Sequence, residues 1–191
     1  YFDVISQSFD QAIALNINCI RVYGLHPSNS HRKAMDYLKL KGVYVMVGLV
    51  DFAHAVHNKS GAYDDATFAH AARLVDEFQA YDNTFCFSVG NEVEYPGNQA
   101  AYFYDENKKK VKKDQKTDAE LVEETVKLEL DVAQAMRSFV RDVKNHIKSQ
   151  GYRTIPVGMV MQDGAQANWT NQNPDAWQRG LIGTDTIARY Y

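Results

Sequence analysis

The sequence predicts an α/β chain of parallel strands and crossover helices, of the (β/α)8 TIM-barrel type. Three observations carry this. Apolar runs of strand character alternate with stretches of helical periodicity through short connections, the pattern of right-handed β–α–β units. No GxGxxG and no GxxxxGK[ST] follows any strand, which weakens the other architecture with this alternation, the phosphate-binding doubly wound sheet. Polar side chains also gather where four successive strands end: Arg21 and Tyr23, Asp51, Asn91 and Glu92, then Gln162 and Asp163. In a barrel that rim is the catalytic face.

The elements follow in order. IALNINCIRVY (13–23) ends as a strand, with Ile17, Ile20 and Val22 β-branched. HPSNS (26–30) turns the chain, and Ser28 or Ser30 is expected to cap a helix over HRKAMDYLKLK that Gly42 stops. VYVMVGLV (43–50) is a continuous apolar strand, the kind buried on both faces of a parallel sheet. After a polar loop, DDATFAHAARLVDEFQAY (64–81) carries Phe68, Ala71, Leu74, Val75 and Phe78 at helical spacing. Asn83 breaks that helix, and TFCFSVG (84–90) is the next buried strand. Thr117 or Asp118 caps a long helix through about Ser149, Gly151 ends it, and TIPVGMVM (154–161) is the following strand.

Composition bounds the function. The chain of 191 residues can bury one core, read as a single domain over 1–191, yet a full barrel needs about 250 residues, so only part of one is expected. A net charge of −3 leaves no basic excess to displace counterions from phosphates, so no nucleic-acid partner is expected. No apolar run approaches the ~20 residues of a membrane span. The chain opens on Tyr1 without an initiator Met or a signal-peptide core, and is read as a piece of a longer precursor. Two cysteines are too few for a disulfide scaffold; Cys19 and Cys86 are expected as free thiols in the core, on strands where contact is conceivable. Asn58-Lys59-Ser60 and Asn168-Trp169-Thr170 are glycosylation sequons if the chain is secreted.

FSVGNEVEY (87–95) holds the sharpest chemical signal. A strand of small and apolar residues ends in Asn91-Glu92, with Glu94 beyond, a loop carboxylate in this reading. Partial desolvation at such a strand end raises a carboxyl pKa, which suits a proton donor. On the residues alone, an exposed loop carboxylate fits as well.

Four stretches together, NCIRVYGLHPSNSH, GVYVMVGL, FQAYDNTFCFSVGNEV and IKSQGYRTIPVG, resemble the fungal β-1,3-glucanosyltransferases of glycoside hydrolase family 72, cell-wall enzymes with a (β/α)8 catalytic barrel. The Asn-Glu pair is shared by a whole clan of retaining barrel glycosidases. The resemblance implies that the chain covers about the second to fifth strands. It implies Glu92 as the general acid/base, Asn91 as a hydrogen-bond partner of the sugar 2-OH, and a nucleophilic Glu at the end of the seventh strand. It also implies Tyr23 at the donor-sugar site, Arg21 in support of the catalytic centre, and Gln162 and Asp163 in the cleft where the family has Asn-Asp. A core tyrosine with its hydroxyl at the rim is the alternative for Tyr23.

The departures matter too. Gly48 stands where the family has a sugar-contacting Asp, with Asp51 as a conceivable substitute, and Ile5 and Ala34 stand at the positions of a family disulfide. A rim insertion at about 95–118 carries a lysine run (108–110, 112, 113, 116), read as a solvated helix face or a site for an acidic polysaccharide or partner. Its aromatic residues Tyr95, Tyr102, Phe103 and Tyr104 stack on sugars or pack the loop. His54 and His57 share a loop with no third ligand evident, and His31 is read as a helix-start residue; no metal and no cofactor are expected. The implied function is an extracellular, cell-wall or cell-surface transglycosylase or hydrolase on β-glucan. The alternative is an inactive structural or glycan-binding module of an extracellular protein assembly.

Overall fold

The computed structural model describes residues 2–51, 54, 63–91, 102–104, 110–112 and 118–160, of which 2–4, 91, 102–104, 110–112, 118–129 and 132 are described by their backbone only. Along the chain run α1 (Phe2–Ala14), β1 (Cys19–Val22), α2 (Arg32–Leu40), β2 (Tyr44–Gly48), α3 (Asp65–Phe78) and β3 (Thr84–Asn91). Then come β4 (Tyr102–Tyr104), β5 (Lys110–Lys112), α4 (Asp118–Ser149) and β6 (Val157–Val160). One sheet has the order β1-β2-β3-β6, with β1/β2 and β2/β3 parallel. The strand-helix alternation read from the sequence is present in this order.

The chain gathers into two compact units. The first comprises Tyr1–Ala55, Asp64–Gly90 and Val140–Met159, and holds β1, β2 and nearly all of β3 and β6. The second comprises Val56–Tyr63, Asn91–Phe139 and Val160–Tyr191. In the second, β4 and β5 form an antiparallel pair, and the ring of Tyr63 lies 4.6 Å from that of Phe139. Lys110–Lys112 is therefore strand, not the helix face expected of the lysine run; the aromatic Tyr102–Tyr104 segment has the β preference that draws it into a pair. Lysines suit a two-stranded edge because their charge discourages further pairing.

The helix ends show how local sequence sets the first unit. Gly42 has φ +72°, its N–H donates to Lys39 O (3.0 Å) and the Val43 N–H to Leu38 O (2.8 Å). That double closure needs a left-handed residue, which glycine adopts without a Cβ clash, and it packs buried Val43 on buried Leu38. Gly151 repeats it at the end of α4, with φ +68° and bonds to Lys148 O and from Tyr152 to Ile147 O. At the start of α3 the Asp64 carboxylate accepts from the Thr67 N–H at 2.7 Å. The start of α2 departs from expectation: neither Ser28 nor Ser30 caps it. His31 is the cap residue, and its N–H and Nδ1 both lie 2.8 Å from the Glu77 carboxylate of α3.

The two faces of the sheet differ. Val45, Val47, Phe87 and Val89 are almost wholly buried, as are Met35 and Leu38 of α2 and Ala71, Leu74, Val75 and Phe78 of α3. Burying each large apolar side chain stabilises the unit by about 1.5–3 kcal/mol. On the opposite face Arg21, Met46 and Cys86 stand in register across β1, β2 and β3, and all three are only half-buried. Cys19, on that same face by alternation, is exposed, so the thiols are free but Cys19 is not in the core. Burial of Cys86 pushes its thiol pKa up, with a smaller contribution from Cys19. Asn83, legible only as a helix breaker, is a buried clip: its amide donates to Met35 O (3.1 Å) and Val43 O (3.3 Å). Among the described residues, no helix is long and apolar enough to cross a membrane.

Candidate functional site at the sheet rim

At the C-terminal edge of the sheet, β1 delivers Arg21 and then Tyr23. The guanidinium carbon of Arg21 lies 4.8 Å from the Tyr23 ring centroid, a cation–π stack. Tyr23 is 63% exposed, which removes the alternative of a ring packed in the core. Its backbone meets β2 closely at Gly48. A Cβ built on Gly48 would lie 2.8 Å from Tyr23 Cβ, 3.1 Å from Tyr23 Cα and 3.1 Å from Val22 O. Glycine at 48 therefore permits the approach of β1 and β2 on which the position of Tyr23 depends. A carboxylate side chain does not fit there without parting the strands.

Gly48 is in register with Ser88 of β3, whose hydroxyl is buried with no hydrogen-bond partner among the described residues. β3 continues two residues past Val89 and ends at Asn91. Glu92, Gln162, Asp163 and the sequon residues Asn58 and Asn168 lie outside the described residues, as do His57 and Thr117.

Asp51, next along the same rim, is not a spare carboxylate. Its Oδ1 accepts the His54 N–H at 2.7 Å and lies 2.9 Å from His54 Nδ1. Its Oδ2 is 3.9 Å from Nε2 of His70, which α3 turns inward on its buried face. The His54 and His70 rings stack, 4.3 Å between centroids and 17° between planes. Burial pushes the Asp51 carboxyl upward, but the hydrogen bonds from His54 and the nearby His70 and His54 outweigh it and hold the pKa below the usual carboxylate range. Burial holds the His70 imidazole below its ordinary value, against the opposing pull of Asp51. The sequence pairs His54 with His57 and leaves it without a third ligand; the fold instead brings it Asp51 and His70. The available signal was the position of His70 between Thr67 and Ala71 on the apolar stripe of α3.

Comparison with known proteins adds the lineage. The glucanosyltransferase family, glycoside hydrolase 72, matches residues 3–120. The chain is 30% identical over 150 residues to the 1,3-beta-glucanosyltransferase gas2 of Schizosaccharomyces pombe, covering 78% of this chain and 26% of that protein. To the 1,3-beta-glucanosyltransferase PGA4 of Candida albicans it is 31% identical over 147 residues, 75% of this chain and 26% of the other. It thus spans about a quarter of the length of these relatives. Among solved structures it is similar to Saccharomyces cerevisiae Gas2p in complex with laminaritriose and laminaritetraose, with a TM-score of 0.57 and 21% identity over 84% of this chain and 29% of that one. A likeness of that kind shows the fold, and the four-stranded sheet is part of a (β/α) barrel.

Proposed function

Because the chain belongs to the glucanosyltransferase family, glycoside hydrolase family 72, we propose that it is part of an extracellular, cell-wall or cell-surface enzyme that cuts and rejoins β-1,3-glucan, with Glu92 as general acid/base. The observation that carries this reading is β3, a strand with Phe87, Ser88 and Val89 buried, which ends at Asn91 in the same sheet as β1, the strand of Arg21. By alternation, Cys86, Ser88 and Gly90 of β3 share the face of Arg21 and Tyr23. In the reaction, Glu92 gives its proton to the glycosidic oxygen while a second carboxylate attacks the anomeric carbon, forming a glycosyl-enzyme. The ionised Glu92 then takes the proton of an incoming sugar hydroxyl, whose oxygen displaces the enzyme and forms the new glycosidic bond. The second carboxylate is the family's seventh-strand Glu. The exposed ring of Tyr23, held by Arg21, offers a stacking surface to a sugar, with Asn91 hydrogen-bonding the 2-OH and Gln162 and Asp163 in the cleft.

A second reading, a glycan-binding module without turnover, is favoured by one observation. Gly48 leaves no carboxylate at that rim position, and Asp51, the nearest substitute, is engaged by His54.

Both readings are separated by incubating the full-length native protein with laminari-oligosaccharides and resolving products by mass spectrometry. Products longer than the substrate, abolished by Glu92→Gln, are expected. Binding without any product from a folded full-length protein overturns the enzyme reading in favour of the module.

A further inference from the structure

We propose that Asp51, His54 and His70 form a binding site for a divalent transition-metal ion of the zinc class, clipping the segment after β2 to helix α3. Ligand-capable atoms of the three side chains all lie within 4.8 Å of one another. Two neutral imidazoles and one carboxylate form a donor set suited to Zn²⁺, Co²⁺ or Ni²⁺ rather than to Mg²⁺ or Ca²⁺, which take oxygen ligands.

A second observation points to a ligand independently of the cluster. Nε2 of His70 is buried, on a residue 1% exposed, and has no hydrogen-bond partner among the described residues. A buried polar nitrogen without a partner costs roughly 1–3 kcal/mol. Its neighbours on the stripe are the buried Thr67 and the apolar Ala71, Leu74 and Val75. Nε2 faces Asp51 Oδ2 at 3.9 Å, longer than a hydrogen bond. A zinc ion holds its nitrogen and oxygen ligands at about 2.0–2.2 Å, which sets neighbouring ligand atoms about 3.3 Å apart at tetrahedral angles. The two spacings here, 2.9 Å and 3.9 Å, bracket that value, and all three ligand atoms lie within 4.8 Å, so binding one ion requires the side chains to draw together and the stacked histidine rings to tilt toward it. His54 and Asp51 are part-exposed, at 34% and 21%, which gives the ion a route in. Three protein ligands also leave a fourth position open for water.

The proposal is independent of glucan chemistry and is read by binding alone. Tag-free, full-length protein is stripped with EDTA and titrated with ZnCl2 by calorimetry, then with CoCl2 while the visible spectrum is recorded. The expected result is one equivalent of zinc per chain, a saturable rise in Tm, and cobalt ligand-field bands that zinc abolishes. His54→Ala, at a part-exposed position, is expected to weaken binding by at least the roughly 10–100-fold seen when only a residue orienting a ligand is lost. Asp51→Asn and His70→Gln act in the same direction, and His54→Ala decides the matter should His70→Gln fail to fold. Absence of heat and of any Tm shift overturns the proposal. So does zinc binding that His54→Ala and Asp51→Asn leave undiminished.

Discussion

Gly48→Ala tests whether the β1–β2 approach at the rim is as tight as it looks. The added methyl would sit 2.8 Å from Tyr23 Cβ, at least 0.6 Å inside ordinary contact of 3.4–4 Å. Two of the three nearest atoms, Tyr23 Cα and Val22 O, are backbone, so no rotamer change relieves the clash and the strands must part. Overpacking of this kind costs about 1–3 kcal/mol, and the backbone contacts place this substitution near the top of that range. For a chain of this size each kcal/mol lowers Tm by about 2–4 °C, so a fall of roughly 4–12 °C is expected. Gly158→Ala is the internal control. A Cβ there meets nothing within 4 Å, and removing a strand glycine should leave stability unchanged or raise it by about 0.5–1 kcal/mol. Urea and thermal denaturation of the two variants read the difference directly. If Gly48→Ala proves as harmless as Gly158→Ala, the claim that glycine holds Tyr23 in place is wrong. If it holds, Gly48→Asp should likewise destabilise the chain rather than supply a working rim carboxylate.

Three further outcomes follow from the clips around the sheet. Asn83→Ala strips donors from two buried carbonyls, Met35 O and Val43 O, and should cost about 2–3 kcal/mol in urea denaturation; a loss under 0.5 kcal/mol would mean that the amide does not bridge α2 to β2. The Tyr81 hydroxyl donates to Glu77 at 3.1 Å, and burial followed by the Glu77 charge raises its pKa from 10.0 to about 12. A raised pKa stabilises the fold fully below pH 10, a contribution lost as pH rises toward 12, so Tyr81→Phe should flatten the alkaline stability loss. An unchanged alkaline limb would refute that. Hydrogen bonding to Thr67 lowers the Asp64 pKa, so the cap on α3 is complete above pH 3.8 and lost as pH falls through the depressed value. Amide exchange at Thr67 should accelerate in acid in the native protein, and at all pH values in Asp64→Ala.

How much of this was readable follows the range of the interactions. The two glycine-closed helix ends were legible because one residue's φ decides them, and the buried stripe of α3 because its period is local. His31 was legible as a helix-start residue, but its partner Glu77, 46 residues away, was not, and neither nearer serine caps the helix. Asn83 failed in the same way. As a helix breaker it is a local signal, whereas its work is to satisfy carbonyls 48 and 40 residues distant. His70 hid for a different reason: on an apolar stripe a histidine reads as an interruption, and only the return of the loop with Asp51 and His54 gives it neighbours. At the rim, Arg21 and Tyr23 were read correctly as strand-end residues, and the exposure of Tyr23 removes the core-packed reading.

The expectation of buried thiols fails on the same arithmetic that makes the sheet part of a barrel. A strand in a closed barrel is covered twice, by helices outside and by the strands across the axis inside. Here the helix-side residues Val45, Val47 and Phe87 reach 0–1% exposure, while Arg21, Met46 and Cys86 opposite them remain half-buried and Cys19 is exposed. The contrast is not complete: Ile20 and Val22, in register with Val45 and Val47, are half-buried, while Gly48 and Ser88 on the inner face are buried. In the proposed reading, a face bearing Arg21, Tyr23 and Glu92 needs a second carboxylate for its chemistry, and β1, β2, β3 and β6 carry none.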